Sequence, residues 1–235
     1  YHGMRHAYRY YENRKDDGYP MPWPNMHAIL PPMLPGEVMA VIAASKAGKT
    51  TFTLNWMYWL AKERNVRVLY YCLDMSAKVV SQMLACHILK TPRAEDFDRR
   101  LYLDAQLHLS RIPFHQSSFS PAMTMDSVAE QIQLAHARFG VEVVCFDHLH
   151  VLCRGSDDYF KDVSKASARF KELAQTLGIA MIVLHQPAKM LPGAEPNLYS
   201  SSGSSMIPAD ADFIVGLSRK VIEDRSRGGD ESSPD

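Results

Sequence analysis

The chain reads as an α/β protein, a mostly parallel β-sheet with helices on both faces. Three observations predict it. Short apolar runs without alternation recur along the chain, runs at helical spacing separate them, and polar residues cluster where the apolar runs stop. A strand covered on both faces needs apolar residues at every position, so it loses the in-and-out alternation of a half-exposed strand. The 235 residues carry 26 Lys plus Arg against 26 Asp plus Glu and are 46% hydrophobic, which suits one large domain with tails.

Residues 1–19, rich in Tyr and Arg, are expected to form an N-terminal arm or linker, either packed on its own domain or docked on a neighbouring subunit. Six prolines between Pro20 and Pro35 then predict an extended connector at the start of a domain spanning 20–222. The first strand is Val38 to Ala43, too short for a helix, and a Gly/Lys/Thr loop leads from it into a helix over about Thr51 to Glu63. A second strand, Val66 to Leu73, ends at Asp74, and Ser76 is placed to cap the following helix. Arg93 to Gln116 shows no readable pattern. Met125, Val128, Ile132, Ala135 and Phe139 then mark one helical face that Gly140 ends.

A third strand, Val141 to Phe146, runs into Asp147. Phe160, Val163, Ala166, Phe170, Leu173 and Leu177 repeat at helical spacing as far as Gly178, and Ile179 to Leu184 is a fourth strand followed by His185-Gln186. Ser200 to Ser205, all Ser and Gly, predicts a mobile surface loop before a last strand at Phe213 to Leu217. Residues 223–235 form a polar tail expected to be disordered. A chain that opens at Tyr1 and stops in such a tail is expected to be a piece of a longer one.

The balanced charge excludes a protein that coats nucleic acid nonspecifically, so any DNA contact must be local. Cys72, Cys86, Cys145 and Cys153 include no CxxC pair, which predicts a reducing compartment and no structural zinc. No run approaches the ~20 apolar residues that span a bilayer, so no membrane is expected. His148 and His150 have no evident third partner and are assigned no metal.

The chemistry gathers at one edge. In a parallel sheet, ligands bind beyond the carboxyl ends of the strands, which is where the loop ending Gly48-Lys49-Thr50, Asp74, Asp147 and Gln186 all fall. Ala43 to Thr50 fits the phosphate-loop pattern GxxxxGK(S/T) with Ala at the first glycine position. Such a loop wraps phosphates with backbone N–H groups at a helix N-terminus, so Ser45, Lys46, Ala47, Gly48, Lys49, Thr50 and Thr51 are the candidate nucleotide-binding residues. Lys49 would neutralise the β- and γ-phosphates, and Thr50 with Asp147 would hold Mg²⁺. Asp74 is the candidate base that orients the attacking water, with a helix N-terminal charge as its other reading. The Gln186 amide, able to donate and accept, suits a γ-phosphate sensor.

Taken in order, Leu34-Pro35-Gly36-Glu37, Ala43 to Thr50, Leu73-Asp74-Met75-Ser76, Phe146-Asp147-His148-Leu149 and Asp210-Ala211-Asp212 resemble the RecA-like motor domain of DnaB-type replicative helicases and phage primase-helicases. The likeness covers roughly Pro20 to Lys220 and implies a RecA-like phosphate-loop NTPase core. It implies hydrolysis of ATP or another NTP with Mg²⁺ in a homo-oligomeric ring, a hexamer, that translocates on single-stranded DNA. Lys49, Asp74, Asp147 and Gln186 match the family's catalytic positions, with Asp74 where the family usually reads Glu. The loops after Asp147 and Gln186 match its DNA-facing loops, so Arg154, Lys189, Ser202, Gly203 and Ser204 are the candidate DNA contacts. The resemblance further implies an arginine from the next subunit, met beyond the last strand read here, primase or another domain of the parent chain as partner, and a cytoplasmic or other reducing, DNA-containing compartment. Two alternatives stay open: a nucleotide-switched helicase-like loader or assembly factor with little hydrolysis, and a RecA-like recombinase or ATPase.

Overall fold

The structure, a computed structural model, describes residues 18–91, 98–117, 123–153, 158–186 and 210–219. Its strands are β1 (Val38–Ala43), β2 (Val68–Cys72), β3 (Phe114–Gln116), β4 (Val143–Asp147), β5 (Ala180–His185) and β6 (Phe213–Leu217). Every residue of β1, β2, β4 and β5 is buried, as unbroken apolar runs require. The six strands form one sheet in the order β3-β2-β4-β5-β1-β6, and all pairs are parallel.

Side chains alternate across the sheet and build two cores. Met39, Val41, Tyr70, Cys145 and Leu184 point to one face, against Leu54, Trp56, Met57 and Leu60 of α2 (Lys49–Glu63) and Val80 and Leu84 of α3 (Ala77–Leu89). Val38, Ala40, Tyr71, Phe146 and Val183 point to the other, against Val128 and Ile132 of α5 (Met125–Phe139) and Val163, Phe170 and Leu173 of α6 (Tyr159–Leu177). Helices therefore cover both faces, and the phosphate-loop helix is α2. Gly140 and Gly178 end α5 and α6 as read, with φ 65° and 64°, and Thr124 and Ser127, not singled out in the sequence, form a reciprocal cap at the start of α5. Ser76 occupies the first cap position of α3, but its side chain accepts no N–H there, which corrects the capping expectation.

The proline-rich segment is packed rather than extended. Tyr19 and Met33 exchange backbone hydrogen bonds of 2.7 and 3.2 Å as an antiparallel bridge, and both are buried with Met21. Between them lies a short helix, α1 (Pro24–His27). Trp23 stacks on Phe52 with ring centres 4.6 Å apart, and the Trp56 indole donates to the Pro20 carbonyl at 2.8 Å. The fold thus takes in Tyr19, a residue the sequence assigns to the arm. One bridge, closed between prolines, leaves no periodic pattern to read.

Two elements lie in the stretch that showed no pattern. The helix α4 (Arg99–Leu109) is capped by Asp98, whose carboxylate accepts from the Arg100 N–H at 3.1 Å. Its leucines at 101, 103 and 107 are exposed, and of its residues only Ala105 is fully buried, so apolar spacing does not mark its inner face. Strand β3 has three half-buried residues at the sheet edge, tied to α3 by the Gln116 amide, which donates to the Ala77 carbonyl at 2.7 Å.

At the amino edge of the sheet, two of the sequence motifs meet. The Glu37 carboxylate, buried, accepts from the Leu34 N–H at 2.7 Å. Asp212 accepts from the Val38 N–H at 2.7 Å and pairs through both oxygens with Lys171 of α6, at 2.9 and 2.6 Å. The Leu-Pro-Gly-Glu and Asp-Ala-Asp segments therefore fasten β1, β6 and α6 together. No helix among the described residues is long and apolar enough to cross a membrane, and all four cysteines are free thiols.

Candidate functional site

The site forms where β1 leaves the sheet. From Ala43 the chain turns through Lys46, at φ 61°, and Gly48, at φ 99°, into α2. A Cβ on Gly48 would meet nothing within 4 Å, so the left-handed backbone rather than space requires glycine there. Gly48 has no side-chain cap to offer, which leaves the first N–H groups of a 15-residue helix directed at the loop.

Lys49, buried, curls back so that its ammonium donates to the carbonyls of Ala43 and Ala44 at 2.8 and 2.9 Å. Burial lowers its pKa from the usual lysine value, while the charges of Asp147 and Asp74 oppose that shift. The Thr50 hydroxyl donates to Asp147 Oδ2 at 2.7 Å, joining α2 to the end of β4. Asp147 is 4% exposed, and its Oδ2 accepts a second hydrogen bond, from the Tyr70 hydroxyl at 2.8 Å. Behind Tyr70 lies Thr53, whose hydroxyl is 3.4 Å from Tyr70 Oη and 3.1 Å from the Lys49 carbonyl oxygen, with one proton to give to either. Burial first, then Cys145 and Asp147, pushes the Tyr70 hydroxyl well above its ordinary pKa, so it remains a donor.

An open cleft of about 270 Å³ runs along this edge, lined by Ser45, Lys46, Gly48, Lys49, Thr50, Thr51, Asp74, Asp147, His148 and Gln186. Strand order explains the assembly. β2, β4, β5 and β1 are consecutive in the sheet, with Cys72 opposite Asp147 and Ile42 opposite His185, so Asp74, Asp147, Gln186 and the loop stand in a row. The Asp74 carboxylate is exposed and accepts no hydrogen bond among the described residues. Of the loop residues named from sequence, Ala47 is absent from the cleft lining; its N–H instead points back to the Ala44 carbonyl at 3.3 Å.

Two members of the site are not assigned to it by the sequence. His148, 6% exposed, follows Asp147 into the cleft wall, and Tyr70 bonds the carboxylate from the neighbouring strand. For His148 adjacency to Asp147 was the available signal; for Tyr70 it was a hydroxyl-bearing side chain in a buried strand, a signal that the adjacent Tyr71 shares. Among the described residues no group of three or more His, Cys, Asp and Glu side chains could hold a metal ion by itself. The Thr50 hydroxyl and Asp147 carboxylate are oxygen donors on adjoining elements, the donor chemistry a magnesium ion accepts when water and phosphate complete its shell. Arg154, Lys189, Ser202, Gly203 and Ser204, the sequence-based DNA contacts, lie outside the described residues.

Residues 11–190 match the AAA domain family. The chain is 24% identical over 230 residues to the replicative DNA helicase DnaB of Leifsonia xyli subsp. xyli (strain CTCB07), covering 91% of this chain and 50% of the relative. It is 22% identical over 228 residues to the replicative DNA helicase DnaC of Bacillus subtilis (strain 168), again covering 91% and 50%. Among solved structures, one ATPase domain superposes with a TM-score of 0.72 at 18% identity, covering 90% of this chain and 81% of that one. The structure of a DnaB-like replicative helicase and its interactions with primase gives 0.71 at 18% identity, covering 88% and 54%. The chain spans about half the length of the two curated relatives. It belongs to the AAA domain family and is homologous to the ATPase domain of DnaB-type replicative helicases.

Proposed function

We propose that the chain is the motor domain of a replicative DNA helicase, which hydrolyses ATP or another NTP with Mg²⁺ in a hexameric ring and translocates on single-stranded DNA. The observation that carries this reading is the row of Asp74, Asp147 and Gln186 along one cleft with the phosphate loop. The distant likeness to DnaB helicases supports it.

In this reading the uncapped N–H groups of α2 and the Lys49 ammonium bind the β- and γ-phosphates, exchanging two backbone carbonyls for phosphate oxygens. Thr50 and Asp147 hold Mg²⁺, which when bound offsets charge on the phosphate oxygens. Asp74, exposed and free of hydrogen bonds among the described residues, orients the attacking water and takes its proton. Gln186, at the end of β5, bonds the γ-phosphate and hands its presence to the loop that follows. Single-stranded DNA, a ring of like subunits, a trans-acting arginine and primase as partner come to this chain from the family.

The test is phosphate release from ATP at rising protein concentration, with and without a single-stranded oligonucleotide, with Lys49→Ala as the blank. A Lys49-dependent rate that climbs faster than concentration and is stimulated by DNA is the expected result. One observation favours a second reading. Asp74 is a methylene shorter than the family's Glu, and misplacement of about 1 Å can cost ~10²-fold, so a nucleotide-switched loader with little turnover is the alternative. Tight Mg²⁺-dependent nucleotide binding and nucleotide-dependent oligomers, without strand displacement in a chain extended beyond Asp235, would favour it.

A further inference from the structure

Asp147 receives two hydroxyl donors on one oxygen. Thr50 reaches Oδ2 at 2.7 Å and Tyr70 reaches the same atom at 2.8 Å. A carboxylate oxygen has two lone pairs in its plane, so two donors fill it. Asp147 Oδ1 accepts nothing among the described residues.

The pairing of β2 with β4 explains how a tyrosine two residues back can do this. Cys72 lies opposite Asp147 and Tyr70 opposite Cys145, so Tyr70 is the diagonal neighbour of Asp147 on the same face of the sheet. Diagonal neighbours are about 7–8 Å apart at the backbone, a gap that a long aromatic side chain spans and a Val, Ile or Leu does not. The ring is fully buried and lies nearly parallel to Phe114 of β3, and its hydroxyl is backed by Thr53 of α2. Tyr71, next in sequence, faces the opposite core, and its hydroxyl donates to Gln131 at 2.8 Å.

We infer that Tyr70 is a positioning residue for Asp147: by filling Oδ2 together with Thr50, it fixes the carboxylate plane and leaves Oδ1 available to the Mg²⁺ that a bound nucleotide would bring. The inference rests on the reading of the cleft as a Mg²⁺-nucleotide site. Without the Tyr70 hydroxyl, Oδ2 keeps one donor and the carboxylate is free to rotate. Partners that orient a metal-binding carboxylate are typically worth about 10-fold or more in metal affinity.

The experiment is titration of Mg²⁺ against the affinity of a fluorescent ATP analogue, measured on the whole chain for wild type, Tyr70→Phe, Tyr71→Phe and Asp147→Asn. Tyr70→Phe keeps the ring and is expected to raise the Mg²⁺ concentration at half-effect about 10-fold, with analogue affinity in EDTA unchanged. Tyr71→Phe is expected to match wild type. In the Asp147→Asn background, Tyr70→Phe is expected to add nothing, because it acts through the carboxylate. Thr53→Val, which removes only the hydroxyl behind Tyr70, should shift the midpoint in the same direction by less, and it serves if Tyr70→Phe lowers the melting temperature sharply. A wild-type midpoint in Tyr70→Phe, or an equal shift in the Asp147→Asn background, overturns the inference and leaves the nucleotide site standing. Analogue binding by wild type that is absent or indifferent to Mg²⁺ overturns both.

Discussion

At the amino edge of the sheet, Asp212 accepts the Val38 N–H and pairs with Lys171 through both oxygens, and Glu37 closes on the Leu34 N–H. At the carboxyl edge Asp74 accepts no hydrogen bond among the described residues, and Lys46 holds a left-handed backbone with its ammonium in neither a hydrogen bond nor an ion pair there. Among the described residues Lys49 donates only to carbonyls. Carboxylates saturated by their own chain fasten strands. Charged groups left unsaturated beside a strained loop are held ready for something outside the chain. In the proposed reading the difference separates residues that hold the fold from those that meet a nucleotide, although both kinds stand in sequence motifs of similar appearance.

Four substitutions break or sharpen that contrast. Lys49→Ala removes the buried ammonium of the carboxyl edge and should lower ATP hydrolysis by about 10³-fold, while thermal unfolding shows the fold retained. Asp74→Glu restores the longer carboxylate. If the shorter reach limits the chemistry, turnover rises about 10-fold or more at unchanged nucleotide affinity, and an equal or lower rate would assign Asp74 to switching. Asp212→Ala acts at the other edge and should cost about 1–2 kcal/mol, discounted for partial exposure of the pair, or about 4 °C in melting temperature, with turnover per folded molecule unchanged. A loss of turnover there without a loss of stability would erase the contrast. Lys46→Gly relieves a left-handed residue and should stabilise the nucleotide-free protein by about 1 kcal/mol, seen as a small upward shift on thermal unfolding.

Sequence alone carried the carboxyl edge further than the rest. β1 matches its apolar run residue for residue, and β2, β4 and β5 fall within two residues of theirs, because full burial demands continuous apolar character; β6 also matches its run, although only Val215 of it is buried. The phosphate loop was legible because its spacing follows from the shape of a phosphate. Strand β3 and helix α4 were not, since a three-residue edge strand and a helix with exposed leucines carry no period. The amino-edge fastening of Asp212 to Lys171 joins residues 41 apart in sequence, and the Tyr70–Asp147 bond joins residues 77 apart. Such contacts depend on strand order, and a linear reading of one chain does not supply it.

The chain's three tryptophans are Trp23, Trp56 and Trp59. Two belong to α2 and the third is stacked on its Phe52, so every indole borders the helix that follows the phosphate loop. Intrinsic fluorescence of the unlabelled protein is therefore a local gauge of that helix rather than an average over the molecule. A change in emission on adding nucleotide would register movement of α2 against the segment that carries Trp23, in real time and without a dye. Trp23→Phe would separate the stacked contribution from that of the helix itself.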